Sequence, residues 1–168
     1  MNRPTVQEWI DSAMRSGNVC NDYMRKWEAA ATRAERFRVI CDVNGGEWLF
    51  DLDGRGVQLP IDAFVEEYIN FINGKHIVEY PDGYSSKMYC RYNGVKDIVA
   101  DTTIVYLLDC QDIYVNVPEN SFPQVYLSKS SRDVCLHVGK GARLNLTVYG
   151  GASYHLDGDT SKVKIENR

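Results

Sequence analysis

From residue 101 onward, short apolar pairs recur at a nearly constant interval: Val105/Leu107, Val115/Val117, Val125/Leu127, Val134/Leu136, Leu144/Leu146, Tyr154/Leu156 and Val163/Ile165. Their first members lie 10, 10, 9, 10, 10 and 9 residues apart. Two apolar residues separated by one position share a face of a β-strand, so each pair marks a strand with one side turned to a core. Between the pairs stand turn-forming clusters: Asp109-Cys110-Gln111-Asp112, Pro118-Glu119-Asn120, Ser128 to Arg132, Gly139-Lys140-Gly141, Gly150-Gly151 and Asp157-Gly158-Asp159. Seven alternating strands at this interval fit a β-solenoid whose coil of about 20 residues holds two strands, or a small β-sandwich. The uniform spacing and the near absence of long Greek-key connections favour the solenoid, with about three coils. So short a solenoid exposes strand edges at both ends, and these need cover. A helix over Ile61 to Asn73 and the strands around it suit the first coil, while Lys162, Lys164, Glu166 and Arg168 put charge on the last strand. If that edge is paired, the expected partner is a second copy.

The upstream sequence differs in kind. All three tryptophans, Trp9, Trp27 and Trp48, fall within the first 50 residues. Thr5-Val6-Gln7-Glu8 has the S/T-x-x-E form of a capping box. Val6, Trp9, Ile10 and Ala13 then follow one helical face up to Gly17-Asn18, and Tyr23, Trp27, Ala30, Ala31 and Ala34 mark a second stripe. Helices with such faces bury them, either on the following sheet or at an oligomer or partner surface, for which Val6, Trp9, Ile10 and Trp27 are the candidate interface. Arg36 to Val43 and Glu47 to Leu52 read as strands of a hairpin joined through Asn44-Gly45-Gly46. A helix after Pro60 presents Ile61, Phe64, Val65, Tyr68, Ile69 and Ile72 on one face and stops at Asn73-Gly74. Lys75 to Tyr80 and Lys87 to Tyr92 read as strands around Pro81-Asp82-Gly83. The expected fold is therefore α+β, mainly β: an N-terminal helical segment (1–36), an α+β segment of hairpin, helix and hairpin (37–100), and the β-repeat (101–168).

Composition narrows the functional classes. The chain has 168 residues and a formal charge of -4, with 19 Lys+Arg against 23 Asp+Glu. General nucleic-acid binding needs a cationic surplus that is absent. The longest apolar run, Ile104 to Leu108, is far short of the ~20 residues that span a bilayer, and Met1-Asn2-Arg3-Pro4 leads into no apolar signal region. Five separated cysteines without a C-x-x-C pair, Cys20, Cys41, Cys90, Cys110 and Cys135, suit a reduced, cytoplasmic setting. The three histidines, His76, His137 and His155, lack zinc-ligand spacing, and the glycine-rich stretches lack nucleotide-binding frames, so neither a metal nor a cofactor is expected.

Two constellations carry chemistry. Trp48 to Gly54 ends in Asp51-Leu52-Asp53-Gly54 and resembles the first motif of haloacid-dehalogenase-like phosphotransferases, which would make Asp51 the nucleophile and Asp53 the acid/base beside magnesium. The chain departs from that family at Arg55, where threonine is preferred, and in having no downstream acidic pair and no βαβ alternation. Cys135 and His137 share one face of a strand, about 6.6 Å apart along it, with no orienting acid or oxyanion donor identifiable. The reading taken is accordingly non-enzymatic.

The outward positions of the repeat are the more informative feature. In a coil of about 20 residues, Tyr106 and Tyr126 stack in adjacent rungs, pointing away from the core. On the other face Tyr114, His137 and His155 occupy comparable outward places. These five residues form the candidate binding face, because aromatics on a rigid sheet offer apolar area at little entropic cost. Segments such as Glu66 to Lys75, Tyr80-Pro81-Asp82-Gly83-Tyr84 and Leu107-Leu108-Asp109-Cys110 resemble small proteins encoded in prophages of gut bacteria. That resemblance implies a viral setting, as a virion or tail-associated component or an inhibitor of host defence, and assigns no functional residue. The expected function is a non-catalytic interaction or assembly protein whose partner is another protein or itself. The alternative is a protein that binds a small ligand, a nucleotide or a glycan.

Overall fold

The computed structural model describes residues 5–16, 21–41, 43–54, 61–68, 74–79, 83–94 and 97–168. The expected stops at Gly17-Asn18 and Asn73, the helix positions Ile69 and Ile72, and Cys20 lie outside these residues. Among the described residues five helices come first: α1 (Val6–Ser16), α2 (Asn21–Ala29), α3 (Arg33–Cys41), α4 (Val43–Gly54) and α5 (Ile61–Tyr68). Ten strands follow: β1 (His76–Glu79), β2 (Ser85–Cys90), β3 (Asp97–Val99), β4 (Ile104–Leu108), β5 (Gln111–Val117), β6 (Gln124–Leu127), β7 (Arg132–Val138), β8 (Asn145–Val148), β9 (Tyr154–Gly158) and β10 (Lys164–Asn167). The strands from β2 to β10 alternate between two sheets, one ordered β1-β2-β4-β6-β8-β10 and the other β3-β5-β7-β9. All neighbours are parallel except β1 and β2. The chain is thus a parallel β-solenoid of about four turns behind N-terminal helices.

The repeat explains the solenoid directly. Val105, Val125, Leu146 and Ile165 stand in register across four strands. Ile98, Val115, Leu136 and Leu156 do the same in the second sheet. These files, the exposed Ile165 excepted, fill the interior between the sheets. At the corners the backbone turns through left-handed positions held by Asp109, Asp112, Asn120 and Asp133, with φ between 50° and 56°. Asp and Asn tolerate that conformation better than other residues with a side chain. One corner is buried: Ser131 Oγ accepts from the Cys110 amide at 3.2 Å and donates to the Leu107 carbonyl at 3.0 Å. Gly158 has φ +78° and its Cα faces the Val138 carbonyl, so a side chain there meets both strain and a clash.

Three expectations are corrected. The solenoid begins at β2, ahead of residue 101, because β2 pairs with β4 and β3 with β5. The three-residue β3 has room for one inward residue, Ile98, and so shows no apolar pair. The hairpin expected over Arg36 to Leu52 is instead the helices α3 and α4. A second capping box decides the first of them: Glu35 N–H donates to Thr32 Oγ1, and the amides of Thr32 and Ala31 donate to the Glu35 carboxylate. Phe37 and Ile40 then fall three apart on one buried helical face, which outweighs their β-propensity. Finally, the second stripe is not one helix, since Thr32 ends the run of α2 by starting α3.

The helices pack on the outer side of the first sheet. Val6, Ile10 and Met14 of α1, Trp27 of α2, Phe37 and Ile40 of α3, Leu49 and Phe50 of α4, and Phe64 and Tyr68 of α5 join Met88, Ile104, Tyr106, Leu108, Tyr126 and Tyr149 in one core. This sheet, the covered sheet, is buried on both sides at its middle, where all five residues of β4 are buried, while the last strand, β10, is exposed throughout. The second, or open, sheet is buried on its inner side only, as the alternating exposure of β5 shows. No helix among the described residues is long and apolar enough to cross a membrane.

Candidate functional site

The outer side of the open sheet gathers the chemistry-bearing side chains. Because the coils stack in parallel register, outward residues of successive rungs form files about 4.8 Å apart. One file runs Asp97, Tyr114, Cys135 and His155, and its neighbour runs Val99, Asn116, His137 and Asp157. Tyr114 is 48% exposed, and His137 and His155 are exposed while Cys135 is half-buried. His137 Nδ1 meets Asp157 Oδ1 at 2.5 Å, with about 60% of both side chains open to water (61% and 58%).

This arrangement refines the expected face. Tyr114 and His155 share a file with Cys135 between them, whereas His137 stands in the next file. Asp157, the acid that sequence reading did not find for His137, lies 20 residues further on, where one full coil returns the chain to the same place. The period already on view in the apolar pairs was the signal that locates it. Among the described residues no group of three or more His, Cys, Asp and Glu is placed to hold a metal ion.

A groove of about 410 Å³ adjoins the Asn116-His137 file at the corner of the coils, lined by Asn116, Glu119, His137, Lys140 and Asp159 among others. Asp159 accepts from the Gly141 amide at 2.9 Å and from the Ser161 hydroxyl at 2.6 Å. These bonds, the Gly141 amide first, hold its carboxyl below the usual range. Its charge is a fixed feature of the groove wall.

The tyrosine ladder of the covered sheet forms as expected, but it is not a binding face. Tyr106 and Tyr126 are in register and stack with centroids 5.0 Å apart. The edge of Phe50 meets Tyr106 at 5.6 Å, and Gly46 of α4 presses onto the same ring. Tyr106 is 0% and Tyr126 6% exposed. The same burial corrects the candidate interface. Val6, Ile10 and Trp27 are buried and Trp9 is partly buried against this core, and Trp27 Nε1 donates to Asp11. The helical stripes are buried in the core that the helices share with the sheet of their own chain.

Asp51 also has a packing role. It lies in helix α4, not at a strand end, and accepts from the Tyr149 hydroxyl at 2.7 Å and from Arg168 at 3.3 Å. Arg168 also donates to Glu47 and Glu166. The group ties α4 to β10, across 117 residues of sequence. Burial, then the bond to Asp51, pushes the Tyr149 hydroxyl well above its ordinary pKa. Among the thiols, burial pushes Cys90 and Cys110 up to about 12, so both stay protonated and unreactive in the folded chain. Comparison with known protein families, with curated proteins and with solved structures gives no match to this chain.

Proposed function

We propose that this is a non-catalytic interaction and assembly protein whose working surface is the outer side of the open sheet. The observation that carries this reading is the pair of in-register files, Tyr114-Cys135-His155 and Asn116-His137-Asp157, held on three stacked parallel strands. A rigid sheet fixes these side chains before binding, so contact costs little conformational entropy. A face that carries a tyrosine, two imidazoles and an amide supplies both apolar area and hydrogen bonds, the mixture found at protein recognition surfaces. The non-catalytic reading is supported by the water-exposed His137-Asp157 pair, which lacks the desolvated setting that activates a nucleophile. The virion- or tail-associated setting is the one that the resemblance to prophage proteins implies.

The test is a photo-crosslinking amino acid placed at Tyr114, with the same group at the exposed Tyr84 as control, in cells that express the protein natively. A discrete protein adduct from position 114 that weakens when His137→Ala and Asp157→Ala are added supports the proposal. Equal, diffuse labelling from both positions overturns it. The groove beside His137 favours a second reading, in which the face takes a nucleotide or glycan. Native mass spectrometry separates the two, because a bound small molecule adds a mass that denaturation removes.

A further inference from the structure

The last rung of the solenoid, β9 and β10, has no strand beyond it among the described residues. The covered sheet is closed differently at its first strand, where β1 folds back antiparallel along β2. At the last rung the interior is open. Ile165 is 45% exposed, although its file-mates Val125 and Leu146 are 0% and 1% exposed. Leu156 and Val163 are only half-buried.

The backbone of this rung is arranged for pairing. The amides of Lys164 and Arg168 donate to the Leu144 and Val148 carbonyls of the β8 side. In a parallel ladder alternate residues face the neighbour, so Ile165 and Asn167 direct their amide and carbonyl outward. On either side of β9 the amide of Asp159 donates to the Val138 carbonyl and the carbonyl of Ser153 accepts from Val134, which leaves Leu156 facing outward in the same way. Each edge strand thus carries a central apolar residue whose backbone is free to pair. Each is flanked by opposite charges or a potential one: Lys164-Ile165-Glu166 in β10 and His155-Leu156-Asp157 in β9.

We infer that a second copy of this chain docks head to head on this rung, with β10 antiparallel to β10 of the second copy about a two-fold axis at Ile165. The proposal deepens the assembly reading by naming one partner, at a surface separate from the open face. In an antiparallel pair centred on Ile165, the two isoleucines exchange both backbone hydrogen bonds, Lys164 faces Glu166 of the second copy, and Glu166 faces Lys164. Opposite charges directly across an antiparallel pair attract, and like charges repel. An edge bearing lysine alone would repel its copy, whereas lysine and glutamate two residues apart match their own reversed image. Centring β9 on Leu156 sets His155 opposite Asp157 by the same rule. The pairing also makes each sheet continuous across two copies, which doubles the length of the exposed files. A single two-strand rung is a small footprint, so the dimer should be weak and dependent on concentration.

Sedimentation velocity on the 168-residue chain, over a concentration series that spans the micromolar range, tests this. Wild type should pass from monomer to dimer and stop there. Lys164→Glu and Glu166→Lys should each weaken the dimer at least tenfold. Combining both in one chain should restore it, because the reversed pattern is again self-complementary. Mixing the two single variants should give a heterodimer that neither forms alone. Ile165→Pro removes an outward amide that the coil does not use, so it should abolish dimers while circular dichroism and melting temperature remain near wild type. A monomeric wild type at high concentration, growth beyond the dimer, or single and double variants of equal affinity would each overturn the inference. The assembly reading is judged separately: crosslinking from position 114 in the Ile165→Pro monomer reports on the open face whether or not the dimer exists.

Discussion

The covered sheet and the open sheet are made by alternate strands of the same coils and share one interior, yet their sequences obey different rules. In β4, Ile104-Val105-Tyr106-Leu107-Leu108 is apolar at every position, and every residue is buried. In β5, Gln111 to Val117 alternates, with Ile113, Val115 and Val117 inside and Tyr114 and Asn116 in water. The difference is the layer of helices on one side. It teaches that in this solenoid an outward tyrosine is a packing residue or a recognition residue according to what lies over its sheet, while its spacing in the repeat is the same.

The sharpest way to break this comparison is to remove one tyrosine from each sheet. Tyr106→Ala takes a fully buried ring from between Tyr126 and Phe50, and a loss of about 3–5 kcal/mol of unfolding free energy is expected. Tyr114→Ala removes a half-exposed ring and should change stability by no more than ~0.5 kcal/mol. Urea unfolding of both variants measures the contrast directly. Equal destabilisation would mean that the open sheet is covered in solution too. A milder probe of the same contact is Gly46→Ala, whose added Cβ falls within the Tyr106 ring and should cost about 1–3 kcal/mol by overpacking.

Much of this contrast was legible in the sequence. The apolar pairs set the strands and their inward faces, and the interval of about 20 residues placed Tyr106 over Tyr126 before any coordinates. What the pairs did not convey was the outside of each sheet. The continuous run Ile104 to Leu108 carries that information, since a strand buried on both sides has no polar alternation. The helical half was less legible for a local reason. Phe37, Val39 and Ile40 favour strands by propensity, and Asn44-Gly45-Gly46 reads as a turn. The deciding features were a capping box at Thr32 and Glu35 and an apolar sheet surface that only tertiary structure supplies. Asp157 was missed as the partner of His137 because a contact between residues 20 apart is invisible to motif reading and plain to coil arithmetic.

The corner between the sheets gives an intermediate effect. Ser131 is fully buried and serves both the Cys110 amide and the Leu107 carbonyl. Ser131→Ala leaves a buried donor and acceptor without that partner, and a loss of about 1–3 kcal/mol is expected. Hydrogen exchange should show faster opening of the Cys110 amide, with the amides of α1 unchanged. Protection loss that spread through the helices as well would mean that the two layers unfold as one unit and that the covered sheet transmits the defect.

The smallest expected effect lies at the surface of the helical layer. Thr32 starts α3, and its hydroxyl accepts the Glu35 amide at 3.2 Å, while the Glu35 carboxylate accepts the amides of Ala31 and Thr32 at 2.9 Å. Thr32→Ala removes one cap and should lower the melting temperature by about 2–4 °C. The Thr32 backbone bond, followed by the Thr32 hydroxyl, holds the Glu35 carboxyl below its ordinary value of 4.5. A carboxyl with a depressed folded-state pKa contributes stability above its unfolded pKa and loses it as the pH falls through the folded value. Glu35→Ala should therefore melt below wild type at pH 7, and the two curves should converge as the pH drops below 4.5. Glu35→Gln, which still caps but cannot titrate, should keep its melting temperature steadier than wild type over that same range. Curves that stay parallel through acid would show that the cap acts through geometry alone and that the carboxylate charge adds nothing to the start of α3.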